Sequence, residues 1–253
     1  MPLNFPRYRE RLAINRRARP LALPDPINLS KAFCPYPVLA DRLFKELFRS
    51  RRTAEAARKR VETPLKLHLG CGRKIMPGWV NIDIQRHQGV DVVADFDACA
   101  GTPLPFPDDS VIEFQSNHLI EHLAQPLPFM QELHRVAQAD AKAVFRCPYG
   151  SSNDAFEDPT HKRVYFPGSF AYFGQPAYAH ADYGYRGDWE VVIATLILEG
   201  ARFDGKTHAE VWNEVKSLNN VVIELVVELR AVKPIRPQSL DLLRAVPVDF
   251  SFV

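Results

Sequence analysis

The chain has 253 residues, of which 46% are hydrophobic and 25% charged, enough apolar content for one sizeable core. Its four cysteines, Cys34, Cys71, Cys99 and Cys147, form neither a CxxC pair nor a Cys/His metal spacing, which argues against a zinc-ribbon or disulfide framework. The net charge of +2 hides an asymmetry: residues 1–63 carry 15 Lys and Arg against 6 Asp and Glu, and the remainder 17 against 24.

Scattered cysteines read as reduced thiols of a cytoplasmic protein. The N-terminus, MPLNFPRYRERLAINRRARP, is basic and lacks the apolar core of a secretory signal. The longest apolar run, Val191 to Leu198, falls far short of the roughly 20 residues of a membrane helix, so no membrane span is expected.

Residues 1–37 hold seven prolines among many arginines and predict irregular backbone. Over 39–62, Leu39, Leu43, Leu47 and Phe48 recur at helical spacing, and Ala54, Ala56 and Ala57 extend a helix-favouring run that Pro64 closes. This basic arm either meets an anionic partner or presents a solvated, packing face. No aromatic-interleaved basic repeat supports nucleic acid.

From Pro64 strands and helices alternate. Strands are expected at Leu65–Leu69, Val80–Ile84, Val90–Ala94 and Val111–Gln115, the last breaking at Ser116-Asn117-His118. Leu119–Ala137 reads as helix with a break at Pro126 and Pro128, and Ala143–Cys147 as a strand stopped by Pro148. Residues 151–175 are polar, aromatic and loop-like. Trp189–Glu199 predicts another strand. In Val221–Val232, Ile223, Leu225, Val227 and Leu229 alternate with charged residues, the pattern of a half-solvated antiparallel strand near a sheet edge. Strand, helix and strand in succession indicate a parallel α/β sheet.

The densest signal is LKLHLGCGRKIMPGWVNID, residues 65–83. Strand, glycine turn, strand and carboxylate follow in the order of an α/β nucleotide site, and Gly70-Cys71-Gly72 would let backbone approach a ligand. A tight turn within a sheet is the alternative. A dinucleotide fingerprint would need a third glycine where Ile75 stands, and the gap from Leu69 to Val80 is too short for a crossover helix. A nicotinamide oxidoreductase is disfavoured accordingly.

In order, HLGCGRKIMPGWVNIDI, DVVADFD, LPFPDDSVIEFQSNHLIEHL, FRCPYG, DPTHKRVYFPGSF and VELRAVKP resemble the class I S-adenosylmethionine-dependent methyltransferases, and within them a small-molecule and glycan-pathway group. The resemblance covers about residues 64–234. It implies a Rossmann-like, mostly parallel seven-stranded sheet with an antiparallel edge strand, over 64–253, with 148–220 forming acceptor-side loops and 1–63 a basic N-terminal extension. The implied cofactor is S-adenosyl-L-methionine. Gly70, Cys71 and Gly72 would meet its methionine and ribose part, and Asp83 would accept from the ribose hydroxyls, unless it merely caps a turn. Asp95 would accept from the adenine amino group and Phe96 would pack on the ring, with Asp97 an alternative to Asp95 and an Asx-type turn the plainer reading of both.

His118, at the end of the fourth strand, is the first candidate for contact with acceptor or cofactor and could remove a proton. Glu121 and His122, one helical turn on, either react or tie a helix start to the sheet, and the second reading is adopted because glutamate is favourable in a first turn. Asp158 and His161, with Lys162 and Arg163, could bind a polar acceptor and supply a base, or form a self-satisfied salt-bridged loop. Tyr165, Phe166, Phe170, Tyr172 and Phe173 either wall the same pocket or belong to the core, the reading adopted for such an aromatic run.

The implied reaction is in-line methyl transfer to an oxygen or nitrogen of a small molecule or sugar-bearing precursor. It draws on positioning, which can supply roughly 7–11 kcal/mol, and on a base worth about 10²–10⁴-fold; it calls for no metal. SNHL after strand four, in place of an NPPY-like turn, argues against base methylation. The alternative is a catalytically inactive methyltransferase-like domain docking on an assembly through residues 1–63.

Overall fold

The computed structural model describes residues 64–253. The basic extension 1–63, including the helix expected over 39–62, lies outside the described residues. Among the described residues no helix is long and apolar enough to cross a membrane.

Leu65–Leu69 (β1) forms a strand because Leu67 and Leu69 alternate inward, each with no exposed surface. β1 pairs in parallel with Val80–Asp83 (β2) on one side and Val111–Asn117 (β4) on the other. Val92–Val93 (β3) extends the β2 side. No helix intervenes between β1 and β2, as the short gap predicts; residues 70–79 turn and return directly.

The Leu119–Ala137 segment behaves as its prolines suggest. A 3-10 turn at Ile120–His122 stops, and Pro126–Val136 (α1) begins afresh with proline at its first positions. α1 buries Phe129, Met130, Leu133 and Val136 and runs straight into Ala137–Pro148 (β5). Phe129 meets Phe145 of β5 edge-on at 6.5 Å, and the Met130 carbonyl accepts from the Trp189 indole, so α1 is sewn across the sheet face.

Three further helices follow: Asp154–Glu157 (α2), Pro167–Ala171 (α3) and His208–Ser217 (α4). α4 opens on a capping box, with Thr207 accepting from Glu210 N–H and Glu210 accepting from Thr207 N–H. Trp189–Leu198 (β6), Val222–Ala231 (β7) and Val248–Phe252 (β8) complete a sheet of order β3-β2-β1-β4-β5-β7-β6-β8.

This is a Rossmann-like, mostly parallel sheet. β7 alone runs against its neighbours β5 and β6, toward the edge where an antiparallel strand is expected. Leu225, Val227 and Leu229 are fully buried while Arg230 on the other face is exposed. The sheet has eight strands, not seven. The extra strand is β8, whose VDFSF pairs in parallel with β6 and anchors Phe250 against Trp212 of α4 at 5.8 Å. β5 also exceeds the expected Ala143–Cys147: Ala137 and Lys142 pair with Val111 and Glu113 of β4 across an irregularity, and Lys142 with Arg230 of β7.

Candidate functional site

From β1 the chain moves outward to β2 and β3, then returns to β4 on the other side of β1. The loops leaving β1, β2, β3 and β4 therefore lie side by side at one end of the sheet, the place where open α/β sheets hold ligands. The expected cofactor residues sit on those four loops or, for Asp83, at the last position of β2.

Gly70 and Gly72 both have left-handed backbone, φ 62° and 51°, which glycine adopts without steric cost. They bend the chain so that Gly72 N–H donates to Asp83 Oδ2 at 2.8 Å and Cys71 N–H to the Ile82 carbonyl. Asp83 Oδ1 accepts from Gln85 N–H at 2.9 Å. Each carboxylate oxygen thus carries one donor and keeps lone-pair capacity. A Cβ on Gly72 would meet open space, whereas one on Gly70 would lie 3.0 Å from Leu119. The glycine turn is therefore packed against the β4 exit, beside His118. Cys71 is buried, and burial, then Asp83, pushes its thiol up, so it is a neutral packing residue.

Asp95 and Asp97 have separate roles. Asp95 is exposed and accepts from Asp97 N–H at 2.9 Å, an Asx turn. Asp97 takes Gln125 N–H at 2.9 Å, Ala124 N–H at 3.2 Å and the Lys162 ammonium at 3.0 Å. It caps the start of α1 from outside, and despite the opposing effect of burial, Gln125 and Lys162 hold its carboxyl below the usual range. Asp95 is left as the carboxylate facing solvent. The Phe96 side chain is 3% exposed and meets Phe129 edge-on at 5.2 Å, so its ring packs against the apolar underside of α1.

His118 has φ 50°, rare for a residue with a Cβ. Its N–H donates to the Arg146 carbonyl of β5, and its Nε2 pairs with Glu224 Oε1 of β7 at 2.9 Å. Glu121 Oε1 approaches Nδ1 at 3.3 Å, outside hydrogen-bond geometry. Glu121, more than the desolvation that opposes it, and then Glu224 raise the His118 pKa above the ordinary histidine value.

The loop over residues 158–163 docks on the same turn. Lys162 and Arg163 N–H groups both donate to the Glu121 carbonyl, at 2.8 and 3.2 Å. Asp158 Oδ1 accepts from Thr160 N–H and Oγ1, which lower its pKa. Thr160 Oγ1 lies 3.0 Å from His122 Nδ1, and His161 packs its ring on His122 with centroids 4.7 Å apart. His161 Nε2 is 3.8 Å from Asp158 Oδ2. The structure thus brings His118 and His161 to one buried carboxylate, Glu121.

Tyr165 and Phe170 are buried as expected, and Phe173 with them; Phe166 and Tyr172 are exposed and not core. Sequence reasoning missed Glu224, 106 residues from its partner His118, and the buried network in which His68 Nδ1 and Met76 N–H meet Asn81 Oδ1 while Asp91 accepts from Asn81 N–H. Asn81 lies in the NID run, but nothing local marks it as a hub. Two cavities, of about 380 and 470 Å³, lie by Arg236 and by Arg163 with Tyr183; the glycine turn, Asp83 and Asp95 line neither.

No protein-family model and no curated protein matches the sequence. Solved structures do align. An Archaeoglobus fulgidus SAM-dependent methyltransferase aligns over 74% of this chain and 98% of its own, at 16% identity and a TM-score of 0.48. Those from Mesorhizobium loti (70% and 96%, 13% identity, TM-score 0.42) and Aquifex aeolicus (70% and 89%, 16% identity, TM-score 0.39) are similar to it at a greater distance. Likeness at this level says nothing of the residues' chemistry, which rests on the geometry above.

Proposed function

We propose that this chain is an S-adenosylmethionine-dependent methyltransferase acting on an oxygen or nitrogen of a small molecule or sugar-bearing precursor. The observation that supports it most is the Gly72 to Asp83 hydrogen bond, which fixes a bare glycine turn beside a carboxylate with free lone pairs at the crevice of the sheet. That donor set suits a ribose diol and a short cationic chain better than a pyrophosphate, which wants the N-terminus of a long helix.

When bound, the cofactor supplies a methyl group on a positively charged sulfur. Asp83 would accept the ribose hydroxyls, Asp95 the adenine amino group, and the open face of Gly72 would admit the ligand against backbone. His118, beside the glycine turn through Leu119, would hold the acceptor and take its proton, with Glu224 orienting the ring. Asp158 and His161 border the acceptor side.

Incubation with methyl-labelled cofactor and a metabolite extract tests the reading. Label should appear in a small-molecule product. A protein that binds cofactor yet labels nothing, across extracts of several sources, would favour the inactive docking domain instead.

A further inference from the structure

We propose that Glu121, His122 and His161 form a binding site for one divalent first-row transition-metal ion. One donor atom from each lies within 4.8 Å of the other two. Two imidazoles and a carboxylate form a donor set of intermediate softness that suits zinc, iron or cobalt over magnesium or calcium.

The Glu121 side chain is 2% exposed, and among the described residues neither carboxylate oxygen has a hydrogen-bond partner. A buried carboxylate without a hydrogen bond is costly, and the contact with His118, whose Nδ1 stands 3.3 Å from Oε1, lies outside hydrogen-bond geometry. A metal ion would give these oxygens a direct ligand bond. His122 Nδ1 faces Thr160 Oγ1, whose hydroxyl proton is directed to Asp158, so Thr160 is left to accept the ring N–H. His161 Nδ1 faces the Ala155 carbonyl at 3.3 Å, which can only accept. Both rings are thereby held in the tautomer that leaves Nε2 with a free lone pair. Metal-ligating histidines are held by the same kind of outer hydrogen bond.

The approach of the two histidines is built in. The Lys162 and Arg163 N–H groups clip the 158–163 loop to the Glu121 carbonyl, and Tyr165 O–H donates to the Ile120 carbonyl at 3.3 Å. Tetrahedral ligation at about 2.0–2.1 Å places ligand atoms about 3.3 Å apart. Side-chain rotation supplies the remaining closure. Three protein ligands leave a position open, and the exposed Asp158, 3.8 Å from His161 Nε2, stands next to it. The site stands on these donor atoms whether or not the chain transfers methyl groups. With an ion bound, His161 is a ligand and no longer a base.

Tag-free full-length protein, stripped with chelator and dialysed against zinc, should retain about one equivalent by elemental analysis. It should also bind cobalt with a visible ligand-field spectrum lacking thiolate charge transfer. His122→Ala and His161→Ala should each weaken zinc binding by at least about 100-fold, Thr160→Val by about 10–100-fold, and Cys71→Ser not at all. Circular dichroism checks that each variant is folded. Glu121→Gln is read only if folded, since the histidine variants decide the matter. Wild type without zinc at micromolar free metal, or a folded His122→Ala/His161→Ala double variant that keeps its equivalent, overturns the proposal.

Discussion

Gly72 N–H and Asp83 Oδ2 lie 2.8 Å apart across two parallel strands, so the glycine turn and the carboxylate form one rigid unit. A ligand that hydrogen-bonds Asp83 is therefore held against Gly72 without reorganisation. S-adenosylmethionine at about a hundred times its Kd should stabilise the chain by about 2.7 kcal/mol, a rise of about 5–10 °C in Tm at this size. Asp83→Ala should abolish the rise while leaving a folded protein. Differential scanning fluorimetry reads the shift rather than the absolute Tm. A wild type unmoved by millimolar cofactor would remove the cofactor assignment.

The two turn glycines should respond differently to alanine. Both φ values are left-handed, which costs a residue with a Cβ about 1–2 kcal/mol. Gly72→Ala meets no neighbour and should lose only that. Gly70→Ala also presses on Leu119 at 3.0 Å and should lose more. Urea midpoints rank the two. Equal losses would mean that Leu119 does not rest on the turn.

Much of this arrangement is legible in the sequence, and the gaps have physical causes. Apolar alternation marks β1 and β7 because each buries one face, and Pro126 marks the restart of α1 because proline suits a first turn. The glycines and Asp83 can be read together because they are eleven residues apart on adjacent strands. β8 cannot, since a five-residue VDFSF becomes a strand only when β6 offers its edge. The burial of Phe96 is not legible, because its neighbours Asp95 and Asp97 suggest a surface turn, while α1, thirty residues on, draws the ring inward. Glu121, His122 and His161 are invisible to spacing rules, because a loop docked on the Glu121 carbonyl closes a gap of about forty residues.

Away from the crevice, Asp188 has no exposed surface and accepts from Gln175 N–H, Arg236 N–H, Arg236 Nε and Arg236 Nη2 at 2.8–3.1 Å. Removing one partner of such a pair strands a buried charge, at about 3–5 kcal/mol. Asp188→Ala and Arg236→Met should each approach that loss in chemical denaturation, and the double variant should lose less than the sum. Strict additivity would show that the two do not act as a pair.

His118 offers the clearest dependence on pH. Its pKa is raised by Glu121, and further by Glu224, against desolvation. A raised folded pKa means that the stabilisation is complete below the unfolded value of about 6.5 and fades as pH climbs through the higher folded value. The stability difference between wild type and His118→Gln should therefore be larger at about pH 5.5 than at about pH 9. NMR titration should place the imidazole midpoint above 6.5, and Glu224→Gln should bring it down. If His118 is the base, its deprotonated form is the active one, so turnover rises with pH through the same midpoint. Glu224→Gln should then shift that acid limb to lower pH by the amount the NMR midpoint moves. A midpoint at or below 6.5 removes the carboxylate contacts from the account; an acid limb that ignores Glu224→Gln removes His118 as the base.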